Sequence, residues 1–246
     1  LTTHIMPLHI SATKTTTYSS HILAIGPHRD DIEIGCGGIL WKTSQQGKNN
    51  IIIDLSPSQL STHGDTSTRL QESQDAAHIL WCTTRHNCWF QDGAITDTPE
   101  HRAILVDLIR TYTPEIVLMP RTRDRHPDHE NAATLVKNSI FFAGLTKYPD
   151  SSLAPHKPRL LLHYMIRHDF EPDLIVALDT KAFEAKMKAF QSYASQHATN
   201  SRWFDHIRAR HTLHGTQIWS PYGEWYKLYS HGLGIQDFDG ISSGFF

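Results

Sequence analysis

The chain has 246 residues, enough for one sizeable α/β domain but too few for two. Its hydrophobic fraction of 39% and charged fraction of 20% exclude an intrinsically disordered chain. A formal net charge of −2 gives no overall attraction for nucleic acid or an anionic membrane, and no apolar run approaches the ~20 residues of a membrane span. We therefore expect neither a nucleic-acid nor a membrane partner.

The two ends of the chain differ from its centre. The first twenty residues are rich in Thr, Ser and His and lack the apolar segment of a signal peptide. We expect a poorly ordered lead over residues 1–20, a single domain over residues 21–232 and a C-terminal tail over residues 233–246. The three cysteines cannot all pair with one another, which favours a reduced, cytoplasmic setting.

Short apolar runs alternate with helical patterns through the first part of the chain. The runs typical of buried strands cover residues 21–26, 50–55, 87–90 and 115–119. The helical patterns cover residues 35–46, 67–81, a segment that begins at Thr98, and 130–145. In the segment from Thr98, Pro99 suits the first turn, and Ile104, Leu105 and Leu108 are expected to face inward.

The pattern changes after Tyr148. Two predicted strands, 160–166 and 174–178, are followed by predicted helices over 180–196 and 202–214 and a last strand over 224–229. Strands that alternate with helices form βαβ units and hence a mostly parallel sheet. The expected fold is a single α/β domain with a Rossmann-like, mostly parallel sheet, helices on both faces, and extra C-terminal strands and helices.

The densest clusters of His and Asp follow the first and fourth predicted strands, as His28-Arg29-Asp30-Asp31 and His126-Pro127-Asp128-His129. Ligands of open α/β sheets bind beyond the carboxyl ends of the strands, where the strand order reverses. Three nitrogen or oxygen ligands with one open position are typical of catalytic zinc. The alternative is that both loops are polar turns that cap the following helices. That alternative explains one loop well, but not both at the same edge of a sheet.

Both clusters lie in longer motifs. The segment ILAIGPHRDDIEIGCGG (22–38) resembles the first motif of the LmbE-like, or PIG-L-type, zinc deacetylases, and DRHPDHENAATLV (124–136) resembles their second. The similarity extends from about His21 to Tyr229. Within that family, RDRHPDHENAA, FFAGLTKY and PHKPRLLLHYMI most resemble the deacetylases of bacillithiol biosynthesis, which act on N-acetylglucosaminyl-malate.

The resemblance implies a role for each motif residue. The implied zinc ligands are His28, Asp31 and His129, although His and Asp ligands also accept Fe²⁺. Asp30 would be the general base, and His126 would stabilise the oxyanion or protonate the leaving amine. Asp128 would orient His126. The family also implies a homo-oligomer such as a hexamer.

Several further residues bear on the substrate. Arg29 stands where the family has Pro, and it either binds an anionic substrate group such as malate or faces solvent. Arg69 and Asp92 match family positions that contact the sugar, with a surface arginine and an Asp-Gly turn as the alternatives. Glu33 is expected to support the first loop rather than to catalyse.

The function expected from these residues is zinc-dependent removal of an acetyl group from an N-acetylated amino sugar, with N-acetylglucosaminyl-malate as the preferred substrate. A mycothiol precursor, a chitooligosaccharide or an antibiotic pseudo-aglycone is the alternative substrate. A metal-binding homologue without turnover is a further alternative, because of Arg29. A dinucleotide-dependent oxidoreductase is disfavoured, since the first turn lacks G-x-G-x-x-G and its two carboxylates would repel a pyrophosphate.

Overall fold

The computed structural model describes residues 18–148, 151–167, 169–197 and 202–229. The expected C-terminal tail therefore lies outside the described residues, and so does the expected lead up to residue 17. The last part of that lead is attached to the domain, because the amides of Tyr18 and Ser20 donate to the carbonyls of Thr111 and Tyr112. Each helix in these ranges is too short or too polar to cross a lipid bilayer.

Fourteen elements make up the described part of the chain. The strands are β1 (Ile22–Gly26), β2 (Asn50–Asp54), β3 (Thr84–Asn87), β4 (Ile116–Met119), β5 (Leu160–Tyr164), β6 (Leu174–Leu178) and β7 (Tyr222–Leu228). The helices are α1 (Asp31–Gln45), α2 (Thr66–Ile79), α3 (Pro99–Tyr112), α4 (Pro127–Ala143), α5 (Thr180–Gln191), α6 (Ala194–His197) and α7 (Arg202–Gln217).

All seven strands form one sheet in the order β3-β2-β1-β4-β5-β7-β6. The pairs from β3 to β5 are parallel, whereas β7 pairs antiparallel with both β5 and β6. The strand order reverses between β1 and β4, so the carboxyl ends of these two neighbours meet at one edge. This arrangement confirms the predicted fold class.

The side chains of β1 divide the interior into two cores. Ile22 and Ala24 pack with α1 on one face of the sheet, whereas Leu23 and Ile25 pack with α3 and α4 on the other. Alternation with a period of two sends successive side chains to opposite faces, and both faces are covered by helices. The continuous apolar run of β1 follows from this double burial.

Two expectations about individual elements are wrong. The third strand occupies Thr84–Asn87 instead of residues 87–90. It lies at the edge of the sheet and is only half-buried, so it carries no apolar run for the sequence pattern to detect. In α3, Leu105 and Leu108 are buried as expected, but Ile104 is 40% exposed. The buried stripe of α3 continues through Ile109, at the i and i+4 spacing from Leu105.

A buried glutamate fixes the shape of α1. The helix is interrupted at Cys36, whose φ of −147° and ψ of 17° are not helical. The amides of Gly38 and Ile39 directly after the interruption donate to the two carboxylate oxygens of Glu224, at 3.0 and 2.8 Å. Lys186 neutralises this carboxylate by an ion pair. The second half of α1 thus begins as a separate, capped helix, because a carboxylate satisfies its first free amides.

The first half of α1 approaches β5 closely at Gly35. A Cβ atom at that position would lie 2.2 Å from Cδ2 of Tyr164, a fully buried ring whose hydroxyl donates to the carbonyl of Ile25. We predict that Gly35→Ala lowers the free energy of unfolding by about 1–3 kcal/mol, as overpacking of a core does. Urea denaturation monitored by circular dichroism measures the change.

Gly144→Ala is the matched control for this substitution. Its added Cβ would meet only ordinary contacts, the nearest being the carbonyl oxygen of Phe141 at 3.5 Å. Equal stability of the two variants would contradict the close approach of α1 to the sheet.

Candidate active site

The two His/Asp motifs form the first turns of α1 and α4. The predicted helices begin at residues 35 and 130, but the observed ones begin at Asp31 and Pro127, so the motif residues are part of the helix starts. Both starts follow neighbouring parallel strands, which brings the imidazoles together. The ring centroid of His28 lies 4.8 Å from that of His126 and 5.4 Å from that of His129.

One carboxylate oxygen lies between two of these imidazoles. Oδ2 of Asp31 is 3.3 Å from Nδ1 of His28 and 3.4 Å from Nε2 of His129. The side chains of Asp31, His28 and His129 retain 7%, 12% and 3% of their accessible surface, respectively. In the described ranges, ligand atoms of His28, His126 and His129 also lie within 4.8 Å of one another. The arrangement offers nitrogen and oxygen donors that converge on one point.

The far nitrogens of both rings face other carboxylates. Nε2 of His28 is 3.0 Å from Oδ1 of Asp92 and 3.2 Å from Oδ2 of Asp128. Nδ1 of His129 is 3.3 Å from Oδ1 of Asp124. A carboxylate on the far nitrogen fixes the tautomer and orientation of a metal-binding histidine. These contacts therefore turn the opposite nitrogens toward Asp31.

The contacts of Asp92 and Asp128 bear on their expected roles. The second oxygen of Asp92 accepts the amide of Leu60 at 2.9 Å, so both of its oxygens are engaged within the protein. The carboxylate of Asp128 contacts His28 rather than His126. It is the backbone amide of Asp128 that donates to Nδ1 of His126, at 3.2 Å. Both carboxylates therefore contact the ring of His28.

The electrostatics of the cluster favour a bound cation. Burial lowers the pKa of His28, but hydrogen bonds with Asp128, Asp31 and Asp92 outweigh burial and raise this pKa well above its usual value. Burial also lowers the pKa of His129, yet its carboxylate neighbours raise it to about 9. The surplus of carboxylates thus holds positive charge on the imidazoles, and a divalent metal supplies such charge. The donor set fits a metal ion.

Asp30 combines a strained backbone with a free carboxylate. Its φ of 111° and ψ of −26° lie outside the regions that non-glycine residues favour, and its side chain makes no capping hydrogen bond. The carboxylate lines the pocket, remains 22% exposed and lies 3.6 Å from the guanidinium of Arg69. Burial raises the pKa of Asp30 to about 7, although Arg69 opposes the shift. With this backbone conformation, the carboxylate of Asp30 faces the pocket and does not cap the first amides of α1.

Arg29 has neither of its expected placements. It is fully buried, does not line the pocket, and donates through one terminal nitrogen to the carbonyls of Pro57 and Thr66, at 3.3 and 3.0 Å. It therefore neither faces solvent nor reaches a substrate. Arg69 lines the pocket and donates to the carbonyl of Arg29. Together the two arginines hold the loop from Pro57 to Thr66 against the first motif.

The expected supporting role of Glu33 is confirmed. The side chain is fully buried, and its carboxylate accepts from the guanidinium of Arg85 at 2.6 Å. The same guanidinium holds Asp54 at the end of β2 through two bonds of 2.7 Å. A bidentate bond and a third charged contact at one arginine give a defined geometry. Arg85 thus ties the first turn of α1 to β2 and β3.

The His/Asp cluster lies in a partly open cavity of about 220 Å³. It is lined by His28, Asp30, Asp31, Ser58, Leu60, Ser61, Arg69, Asp92, Gly93, His126, His129, Arg167 and Gln196. Asp124 and Arg167 are not among the site residues predicted from the sequence. The sequence does contain a signal for Asp124, because this residue lies two positions before H-P-D-H. In the structure its carboxylate accepts the amide of His126 at 2.9 Å. The sequence around Arg167 gives no such signal.

Comparisons with known proteins show what this chain is similar to. The family described as PIG-L, GlcNAc-PI de-N-acetylase, matches residues 23–140. Diacetylchitobiose deacetylase of Thermococcus kodakarensis is 29% identical over 222 residues, which is 85% of this chain and 76% of that protein. The site residues of the first and second motifs all fall within the range that the family matches.

Solved structures with the same fold include two from thermophiles. The conserved protein TT1542 from Thermus thermophilus has a TM-score of 0.81 and 30% identity, with 85% of this chain and 94% of that chain covered. N,N'-diacetylchitobiose deacetylase from Pyrococcus horikoshii has a TM-score of 0.78 and 24% identity, with 89% and 88% covered. At that identity the second likeness concerns the fold alone.

The strain at Asp30 predicts an unusual order of stability. Asp30→Gly and Asp30→Ala both remove the carboxylate, but only glycine adopts this φ without a steric cost. We expect the glycine variant to be the more stable of the two by about 1 kcal/mol, after allowing for the flexibility of glycine in the unfolded chain. Chemical denaturation of both variants measures the difference.

The same pair of substitutions at Gln71, an exposed residue within α2, is the control. There alanine should be the more stable by about 1 kcal/mol, because the position is helical. If alanine were also the more stable at Asp30, the strained conformation would be refuted.

Proposed function

We propose that the chain, whose residues 23–140 match the PIG-L family, is a zinc-dependent deacetylase of that type and that its substrate is N-acetylglucosaminyl-malate. The observation that carries the proposal is the position of Asp31, with one oxygen facing an imidazole nitrogen on each side. Three ligands of this kind leave a position open for water and substrate.

The metal would be held by His28, Asp31 and His129. When bound, it polarises the amide carbonyl and lowers the pKa of a bound water to about 7. The contacts of His28 and His129 with outer carboxylates support this ligand set, because such contacts are typical of zinc-binding histidines. Fe²⁺ is the alternative metal for the same donors.

Asp30 would act as the general base. Its carboxylate faces the cavity and is free of capping bonds, so it can accept a proton from the attacking water. Attack on the amide carbon gives a tetrahedral intermediate, and Asp30 then returns the proton to the nitrogen as the carbon–nitrogen bond breaks. The products are acetate and a free amine.

His126 would stabilise the oxyanion. Because Nδ1 of the ring accepts the amide of Asp128, the neutral ring carries its proton on Nε2. Burial and the neighbouring His28 and His129 lower the pKa of His126, which favours this neutral tautomer. An Nε2 hydrogen directed into the cavity can donate to the negative charge that develops on the carbonyl oxygen.

The cavity supports a small acylated ring as substrate. Its volume of about 220 Å³ is below the roughly 300–1,000 Å³ of pockets for larger ligands. Arg69 at the wall would donate to sugar hydroxyls. The engaged oxygens of Asp92 support a role in orienting His28, with any sugar contact secondary.

A chitooligosaccharide is the second candidate substrate. The observation that favours it is the 29% identity with a diacetylchitobiose deacetylase over 85% of this chain. A cytoplasmic location and a homo-oligomer remain predictions, the latter to be checked by light scattering coupled to gel filtration.

The first test measures acetate release from N-acetylglucosaminyl-malate, diacetylchitobiose and N-acetylglucosamine, with zinc-loaded and chelator-treated protein. We predict metal-dependent release that is fastest for the malate conjugate. Asp30→Ala should keep the metal and lose about 10²- to 10⁴-fold in rate, as expected for the loss of a general base. His129→Ala should lose metal affinity as well.

Metal analysis of the variants decides the roles. If Asp30→Ala emptied the site and Asp31→Ala did not, the proposed ligand and base would be interchanged. No release from any of the three substrates by zinc-loaded protein would contradict the proposed reaction.

A second test concerns Asp124, which contacts the far nitrogen of His129. We predict that Asp124→Asn weakens zinc binding by about 10- to 100-fold, because the amide is a poorer acceptor for the ring hydrogen. Competition with a chromogenic chelator measures the dissociation constant. Asp97→Asn is the control, since Asp97 contacts only Arg102 and Asn138 among the described residues. An equal effect of both substitutions would exclude a specific role for Asp124.

A further inference from the structure

Two arginines lie on the β5 side of the active site and take no part in the proposed reaction. Arg167 follows β5 and lines the cavity, and Arg121 follows β4. Because β4 and β5 are parallel neighbours, both arginines come to the edge of the sheet that carries the His/Asp cluster. Arg167 is exposed at the mouth of the cavity.

Aromatic rings, and not carboxylates, hold these two side chains. The guanidinium carbon of Arg167 lies 4.8 Å from the ring centroid of Trp203, and that of Arg121 lies 4.7 Å from the ring centroid of Phe170. Neither arginine has an ion pair with a described residue, whereas Arg69 in the same cavity faces Asp30. Stacking uses the face of a guanidinium and leaves the N–H donors at its edge free.

The charges of the cavity set the direction in which a substrate can enter. The carboxylates of its lining, Asp30, Asp31 and Asp92, all have cationic or imidazole neighbours within the protein, whereas the exposed Arg167 has no ion pair with a described residue and can attract an anion. A substrate with an anionic group therefore fits with its acetamide at the His/Asp cluster and its anion at the rim. The small cavity volume also leaves a group beyond the acetylated ring at the exposed rim, which Arg167 lines.

From these observations we infer that Arg167 forms an anion subsite that selects N-acetylated sugars with a carboxylate- or phosphate-bearing aglycone. The inference rests on the proposed deacetylase function and extends it to the substrate class. Arg121, stacked in the same manner after the neighbouring strand β4, adds positive charge to this edge of the sheet. A neutral chitooligosaccharide leaves this subsite without a partner.

The experiment compares kcat/KM for three substrates: N-acetylglucosaminyl-malate, N-acetylglucosamine 1-phosphate and the neutral methyl N-acetylglucosaminide. For Arg167→Gln, the ratio of the malate conjugate to the neutral substrate should fall by about 10- to 100-fold, the range for a lost hydrogen bond to a charged group. Arg167→Lys should restore only part of the ratio, because an ammonium lacks the planar pair of donors. The phosphate substrate shows whether the subsite prefers a carboxylate or accepts either anion.

Arg208→Gln is the matched control. This arginine also stacks on a ring, with its guanidinium carbon 5.0 Å from the ring centroid of Phe183, but it pairs with Glu184 and does not line the cavity. The selectivity ratio of this variant should equal that of the wild type. An equal loss for charged and neutral substrates in Arg167→Gln would overturn the anion subsite.

Calorimetry separates this inference from the reaction itself. If wild-type protein hydrolyses none of the substrates, the deacetylase proposal fails, but binding of N-acetylglucosaminyl-malate can still be measured. Binding that weakens in Arg167→Gln and not in Arg208→Gln would support the subsite on its own. Binding of equal strength in wild type and Arg167→Gln, or stronger binding of the neutral glycoside, would refute it.

Discussion

The active site depends on one arrangement: a single oxygen of Asp31 lies between an imidazole nitrogen of His28 and another of His129. Outer carboxylates occupy the far side of each ring, so neither imidazole can turn away. The result is a cluster with more carboxylates than imidazoles in a largely buried volume. Such a cluster is costly without added positive charge, and that cost makes it a good metal site.

Buried ion pairs at some distance keep this arrangement in place. Arg85 ties Glu33 in the first turn of α1 to Asp54 at the end of β2. Further along the same helix, Glu224 caps the half that begins after Cys36. Both sets of contacts hold α1 in place and do not involve the His/Asp cluster itself. The helix start that carries the proposed metal ligands and base is thereby fixed from two directions, as catalytic geometry requires.

The pocket combines a cluster of carboxylates and imidazoles in its buried part with an exposed arginine that has no ion pair with a described residue. The floor carries carboxylates that would surround a metal, and the mouth carries Arg167 on its aromatic platform. Arg29, although adjacent to the motif, contributes to neither region, because it is buried behind the loop that it supports. The fold thus places an acidic cluster at the edge of the sheet and an arginine at the rim of the same pocket. The proposed preference among N-acetylated substrates rests on this arrangement.

The sequence by itself determined the order of strands and helices and the location of the His/Asp cluster, since polar motifs that directly follow neighbouring parallel strands meet at one sheet edge. It did not determine where β3 lies, because an edge strand needs no apolar run. Only the tertiary structure decided the direction of Arg29 and the partners of Asp124 and Arg167. Periodicity encodes which face of an element is buried, but the partner of a loop side chain depends on segments that are distant in the chain and brought close by the strand order.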